Sequence, residues 1–101
     1  MSITSLTEKN QARIRLSGRF DFSSHREFKL AYEGPMSEAS VGEVVVDLAN
    51  VEYLDSSALG MLLILRDRGS ASNKRIVLEN CGGAVNEVLR IANFQKLFTM
   101  R

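Results

Sequence analysis

The chain has 101 residues, of which 45% are hydrophobic and 25% are charged, and its formal net charge is +1. This length and composition predict one globular domain spanning residues 1–101 and exclude a disordered or fibrous chain. The small net charge gives no general attraction to nucleic acid or anionic lipid, so we expect partners to be recognised by local features.

The chain contains one cysteine, Cys81, and one histidine, His25. These are too few for an internal disulfide or for a metal site built from cysteine and histidine. The first ten residues lack the pattern of a signal peptide, and the longest apolar run, Met61 to Leu65, is too short to cross a bilayer. We therefore expect a cytoplasmic protein without a metal site or direct membrane insertion.

The first elements in chain order form a predicted β-hairpin. Ala12, Ile14 and Leu16 alternate with polar residues, which is typical of a strand with one buried face. A less regular strand is expected around residues 3–7. Residues 8–11 supply the turn, in which Asn10 is suited to a positive φ angle.

A helix is predicted from about His25 to Glu33. Ser24 and Glu27 have the spacing of a capping box at its start. The pair Gly34-Pro35 is expected to end this helix, and residues 36–42 are expected to form a short polar linker. The predicted apolar stripe consists of Phe28, Ala31 and Tyr32.

Residues 44–69 are predicted to contain a strand, a loop and the start of a helix, and this stretch carries the candidate site. Three valines that end at Asp47 predict a buried strand, and a loop is expected to follow it. The sequence Asp55-Ser56-Ser57 then precedes a helical pattern that begins at Ala58. Two hydroxyls and one carboxylate would therefore lie where helix N–H groups lack partners.

The predicted helix after Ala58 is apolar on most of its surface. Leu59, Leu62, Leu63 and Arg66 share one face, but other apolar residues fill much of the remainder. An exposed part of such a helix is a natural partner-binding surface. Gly69 fits a helix C-cap.

The remaining residues predict a buried strand at 75–79, a turn at 80–83, and a helix with Val85, Val88, Leu89 and Ala92 at helical spacing. An apolar tail follows. The element order β-β-α-β-α-β-α predicts an α/β fold with a mixed, mostly parallel sheet, in which the N-terminal hairpin supplies the antiparallel pair.

Residues 47–60 read D-L-x-N-V-x-Y-L-D-S-S-A-L-G, which resembles the signature of STAS domains, particularly the small bacterial anti-sigma factor antagonists (anti-anti-sigma factors). The resemblance implies the STAS fold, with helices packed mainly on one face of the sheet. It also implies phosphorylation of the first serine after the aspartate, Ser56. Ala58 replaces the glycine that is usual in this family, a change that favours the helix.

The segment Gly18-Arg19-Phe20-Asp21 resembles a second family element, whose aspartate lies beside the phosphorylation loop. Asp21 is therefore a candidate site residue, and the alternative is that it only caps or turns the chain. Spacing alone leaves Ser56 and Ser57 nearly equal, since Ser57 could be a helix N-cap, and the choice of Ser56 rests on the family motif. The predicted surroundings of the site are Asp21, Asp55, Ser57, Ala58, Leu59 and Gly60.

The family resemblance implies a binding module whose partners are other proteins. Unphosphorylated, it would bind an anti-sigma factor or a serine-kinase switch protein. Phosphorylation of Ser56 would end this binding, and a metal-dependent serine/threonine phosphatase would restore it. The alternative is a constitutive STAS accessory subunit of a membrane transporter or other complex.

The sequence lacks the motifs of the main enzyme classes that could use its serines or aspartates. It has no G-x-S-x-G segment, and it has no glycine loop of the Walker or dinucleotide-binding type. Asp47, after three valines, is placed like the phosphoacceptor of receiver domains, but the paired acids expected after the first strand are missing. We therefore expect a protein that is not an enzyme and needs no cofactor.

Overall fold

The computed structural model describes all 101 residues. The chain forms five strands, three α-helices and two short 3-10 helices, which we call η1 and η2. In chain order they are β1 (Ser2–Glu8), β2 (Gln11–Phe20), η1 (Phe22–Ser24), α1 (His25–Ser37), β3 (Glu43–Leu54), α2 (Ser56–Ala71), β4 (Arg75–Glu79), α3 (Gly83–Ile91), η2 (Phe94–Lys96) and β5 (Thr99–Met100).

The strands form one sheet in the order β1-β2-β3-β4-β5. β1 and β2 are antiparallel, and every other neighbouring pair is parallel. The predicted mixed sheet with an N-terminal hairpin is therefore confirmed. The apolar tail adds the short strand β5, which pairs with β4.

One hydrophobic core lies between the sheet and the helices. Ala12, Ile14 and Leu16 of β2 are completely buried in it, as their alternation predicted. All three α-helices contribute buried side chains to this same core. These are Phe28, Tyr32 and Met36 of α1, Ala58, Met61, Leu62 and Leu65 of α2, and Val85 and Leu89 of α3.

The opposite face of the sheet carries a network of charged side chains. Arg13 lies 3.1 Å from the carboxylate of Asp47 and 2.6 Å from that of Glu79. Arg101 joins the same network through Glu79 and Glu43. Each carboxylate of the network has an arginine partner, so the charges of this face are largely neutralised within the chain.

The predicted loop between Asp47 and Tyr53 is wrong, because β3 continues without interruption to Leu54. β2 runs beside β3 over this whole length and supplies hydrogen-bond partners for its backbone. The register shifts twice, between Arg15 and Ser17 and between Gly18 and Arg19 of β2. Such bulges place extra residues in one strand without ending the pairing, so a polar stretch that looks like a loop remains a strand.

The prediction that Gly34-Pro35 ends the first helix is also wrong. α1 continues to Ser37, with Pro35 inside its last turns. Pro35 and Met36 are buried on the same side of the helix as Phe28 and Tyr32. The burial of this longer apolar stripe offsets the backbone hydrogen bond that proline removes.

Three local details differ from prediction. Lys9, not Asn10, has the positive φ angle of the hairpin turn, at 56°. Ser24 occupies the N-cap position of α1, as predicted, but its hydroxyl makes no capping hydrogen bond and donates to the carbonyl oxygen of Arg19 instead. Gly69 lies within α2, which ends at Ala71.

The buried face of α2 also differs from the predicted one. It is formed by Ala58, Met61, Leu62, Leu65 and Gly69, whereas Leu59 and Leu63 are only half-buried. Ile64, on the outer side, is 50% exposed. No helix of this chain combines the length and the apolar character needed to cross a bilayer.

Candidate functional site

The candidate site lies where β2 and β3 end at the same edge of the sheet. The two strands are parallel, and their last residues, Phe20 and Leu54, are partners in the sheet. The N–H of Asp55 donates to the carbonyl oxygen of Phe20 at 3.4 Å. The residues that follow the two strands, Asp21 and Asp55, are therefore brought to one edge although they are far apart in sequence.

Asp55 is the N-cap of α2. Its backbone is extended, and its Oδ1 accepts a hydrogen bond of 2.9 Å from the N–H of Ala58. This bond satisfies one of the helix donors that have no partner within the helix. The alternative in which Ser57 caps the helix is therefore wrong.

Ser56 and Ser57 are the first two residues of α2, and their environments differ. Ser56 is exposed, whereas Ser57 is half-buried. Ala58, which follows them, is completely buried beneath the first turn. Leu59 and Gly60 are half-buried, and a Cβ atom added at Gly60 would contact nothing within 4 Å. Of the two serines at this helix start, Ser56 is therefore the more exposed.

Asp21 caps the short helix η1. Its Oδ1 accepts hydrogen bonds from the N–H and from the hydroxyl of Ser23, at 3.0 and 2.6 Å. The hydrogen bond from the Ser23 hydroxyl lowers the pKa of Asp21, and the positive charge of Arg19 acts in the same direction. Asp21 therefore caps the chain at this point, which is one of the two roles that the sequence left open. Because η1 packs against α2, Asp21 also lies near the start of the segment that carries Ser56.

These features identify the family once they are compared with known proteins. The family model described as "Mlab, STAS domain" matches residues 4–99. The chain belongs to the STAS domain family. A "STAS-domain containing protein" of Pseudomonas aeruginosa (strain UCBPP-PA14) is 46% identical over 100 residues, and the match covers 97% of each protein.

Solved structures with the STAS fold resemble the chain over most of its length. The anti-sigma factor antagonist SpoIIAA of Bacillus, in its unphosphorylated form, has a TM-score of 0.78 at 19% identity, covering 99% of this chain and 87% of that one. A sulfate transporter family protein from Wolinella succinogenes has a TM-score of 0.74 at 12% identity, covering 90% and 73%. At these identities the likeness concerns the fold.

Three exposed residues at the ends of β2 and β3 and the start of η1 were not singled out by sequence reasoning: Arg19, Tyr53 and Phe22. Arg19 and Tyr53 are partners in the β2–β3 pairing, and the guanidinium carbon of Arg19 lies 4.3 Å from the centre of the Tyr53 ring. Phe22, the first residue of η1, is 76% exposed. The register shifts between β2 and β3 decide which residues are neighbours here, and these shifts cannot be read from the sequence. The only sequence signal was that Arg19 lies within the second family element.

Asp47 and Cys81, which could in principle serve as a phosphoacceptor and a reactive thiol, have contacts that fit a structural role. Asp47 is buried among Arg13, Arg15 and Asn80. Cys81 is half-buried, and burial raises the pKa of its thiol to about 11, far from the range in which a thiolate forms readily.

The capping role of Asp55 gives a first prediction for this STAS domain. Asp55→Ala is expected to lower the free energy of unfolding by about 1 kcal/mol, because the N–H of Ala58 loses its acceptor. Asp55→Asn should be nearly neutral, since asparagine caps as well as aspartate. Urea unfolding of the three proteins measures both effects. Equal stability of Asp55→Ala and the unchanged protein would contradict the capping role.

Proposed function

We propose that this STAS domain protein is a phosphorylation-switched binding module, with Ser56 as the residue that is phosphorylated. The observation that carries the proposal is the exposed position of Ser56 at the start of α2, at the motif position where the family resemblance expects a phosphoserine. Ser57 is half-buried and so is less accessible to a kinase. The structure thus adds a physical reason for choosing Ser56 where spacing offered none.

A phosphate on Ser56 is compatible with the fold. The N–H groups of the first helical turn and the helix dipole favour negative charge at this end of α2. Ser56 is an exposed residue, so phosphorylation requires no rearrangement of the core. We expect the scaffold to stay unchanged while the surface around α2 changes.

The effect on binding follows from the charge of the phosphate. A phosphoserine carries about −1.5 to −2 charges at pH 7. Burying it in an interface without a cationic partner would cost several kcal/mol. Asp21 and Asp55 at the same edge add to the repulsion of an acidic partner surface. Because about 1.4 kcal/mol corresponds to a tenfold change in affinity, part of this penalty is enough to release a partner.

The partners that fit this proposal are an anti-sigma factor or a serine-kinase switch protein, which the unphosphorylated form would bind in the cytoplasm. A metal-dependent serine/threonine phosphatase would remove the phosphate. In this scheme the protein acts by binding, without catalysis or cofactor. The unphosphorylated and phosphorylated structures known for SpoIIAA, which shares the fold, support the comparison.

A second candidate function is that of a constitutive STAS subunit of a membrane transporter. The similarity of the fold to a sulfate transporter family protein favours it. In that case the exposed residues at the start of α2 would form a permanent docking surface. Co-purification with permease components, unaffected by substitutions at Ser56, would support this alternative over the switch.

The switch predicts opposite behaviour of two variants at one position. Ser56→Ala should retain the partner in a pull-down from cells, whereas Ser56→Asp should bind it at least tenfold more weakly, since the added carboxylate imitates part of the phosphate charge. Ser70→Asp is the matched control, because it adds the same charge to an exposed position near the other end of α2. Mass spectrometry of the protein isolated from cells should find phosphate on Ser56.

The proposal would be overturned by two results together. These are the absence of phosphate on Ser56 under all growth conditions, and equal retention of the partner by Ser56→Ala and Ser56→Asp. Loss of the partner in Ser70→Asp as well would show a general effect of charge rather than a local switch.

A further inference from the structure

A groove runs along the surface between α1 and α2. Because β2, β3 and β4 are parallel, the helices that connect them run in the same direction, and α1 and α2 pack against each other. On each helix the lining residues recur every three or four positions, so they form one stripe about 10 Å long. The lining residues are His25, Phe28, Lys29 and Tyr32 of α1 and Met61, Ile64 and Arg68 of α2.

The floor of the groove is apolar, and its size suits a single side chain. Phe28, Tyr32 and Met61 are buried, whereas Ile64 is 50% exposed and opens the groove to solvent. The cavity has a volume of about 160 Å³. A cavity of about 150 Å³ holds one benzene ring, and pockets for small molecules usually measure about 300–1,000 Å³. The groove is therefore large enough for one leucine or phenylalanine side chain and too small for a whole metabolite.

The polar residues that line the groove are all basic. Lys29 and Arg68 are exposed, and the guanidinium carbon of Arg68 lies 5.7 Å from the centre of the Tyr32 ring. No ion pair of this chain includes Arg68 or His25. Lys29 lies 4.0 Å from Glu33, and such an exposed pair contributes little. Unlike the arginines on the open face of the sheet, these cations remain free to bind an external carboxylate.

We propose that the groove binds an acidic amphipathic helix of another protein. One large apolar side chain of that helix enters the cavity between Tyr32, Met61 and Ile64, as in other complexes where a helix lies in an apolar groove. Carboxylates beside this side chain pair with Lys29 and Arg68, which gives the groove its preference for an acidic partner. The inference rests on the part of the proposed function in which the domain acts by binding a protein, and it does not require phosphorylation of Ser56.

Two synthetic peptides test this preference on the full, unphosphorylated chain. Both form helices with leucines at positions i, i+4 and i+7, and the flanking residues are glutamates in one and lysines in the other. We expect the glutamate peptide to shift the methyl NMR signals of Met61 and Ile64, and the lysine peptide to leave them unchanged. Equal effects of the two peptides, or no effect of either, would overturn the inference.

Reversing the charges of the groove should reverse the preference. The double variant Lys29→Glu/Arg68→Glu should bind the glutamate peptide about tenfold more weakly, because two attractive contacts become repulsive, and should bind the lysine peptide more tightly. Arg90→Glu/Lys96→Glu is the matched control, since it makes the same change of charge at exposed positions outside the groove. An equal loss of affinity in the control would contradict a local role of the groove.

The apolar part of the contact has its own pair of variants. Ile64→Ala should weaken binding of the glutamate peptide about fivefold, because one wall of the cavity is shortened. Ile91→Ala, at a position in α3 that is 81% exposed, should have no effect. Vesicles of phosphatidylglycerol that shift the Met61 and Ile64 signals as the glutamate peptide does would show a lipid-binding groove and overturn the inference.

These outcomes can be separated from those for the proposed switch. A chain that is never phosphorylated in cells but prefers the glutamate peptide would leave this inference correct and the switch wrong. A chain that is phosphorylated on Ser56 and releases its partner, but does not distinguish the two peptides, would have the reverse meaning.

Discussion

Asp47→Ala is expected to lower the free energy of unfolding by about 1–3 kcal/mol, since it removes a buried carboxylate that accepts several hydrogen bonds, while Arg13 keeps its second partner, Glu79. Asp47 is 5% exposed. Its carboxylate accepts hydrogen bonds from Arg13 at 3.1 Å and from Asn80 at 3.0 Å. It also accepts from the N–H of Ala49, in the part of β3 where the register shifts. The substitution would leave Asn80 and this N–H without an acceptor.

The same carboxylate gives stability a dependence on pH. Burial by itself raises the pKa of Asp47, but the hydrogen bonds from Asn80 and Ala49 and the nearby arginines outweigh it, so the pKa in the folded chain lies below its ordinary value. A lowered folded-state pKa stabilises the fold above the unfolded-state pKa of about 3.9. This contribution is lost as the pH falls through the lower, folded-state value.

Urea unfolding at pH 7 and at pH 3 measures both effects. The difference in stability between the unchanged protein and Asp47→Asn should be largest at pH 7 and smaller at pH 3. Asp67→Ala is the control, because Asp67 is 79% exposed and its contact with Arg66 should contribute little. A loss of less than 1 kcal/mol in Asp47→Ala at pH 7 would show that Asp47 does not hold this face together.

Gly69→Ala is expected to destabilise the fold by about 1–3 kcal/mol, the usual range for overpacking in a core. A Cβ atom at Gly69 would lie 2.6 Å from Cγ1 and 2.7 Å from Cδ1 of Ile76, and 3.1 Å from the carbonyl oxygen of Lys74. Ile76 is itself 6% exposed and packed in the core, so it cannot move away freely. Either the Ile76 side chain has to leave its packed position or α2 and β4 have to move apart.

A double-mutant cycle tests this cause. Ile76→Ala removes both clashing atoms, so it should cost less in the Gly69→Ala background than in the unchanged protein. Gly60→Ala is the matched control in the same helix, where the new Cβ meets nothing within 4 Å. It should stabilise the protein by about 0.5–1 kcal/mol through the better helix propensity of alanine. Equal effects at the two glycines would contradict the role of close packing at Gly69.

The candidate site could be predicted only in part. The order Asp55-Ser56-Ser57 before an apolar helical pattern places hydroxyls at a helix start, and the family resemblance adds the choice of Ser56. The N-cap and the difference in exposure between the two serines depend on how the first turn of α2 packs on the sheet. Those features follow from tertiary packing and not from the local sequence.

By itself, the sequence determined the element order, the buried face of β2 and the mixed sheet, because each follows from a local period of apolar residues or from the connection between neighbouring elements. Tertiary structure decided which residues are buried and which are paired where the apolar pattern of the sequence was ambiguous. α2 is apolar around most of its surface, so only packing on the sheet selects Met61 and Leu65 over Leu59 and Leu63 for the core. The register between β2 and β3 brings Arg19 to Tyr53, since bulges follow from pairing with a distant strand rather than from local sequence.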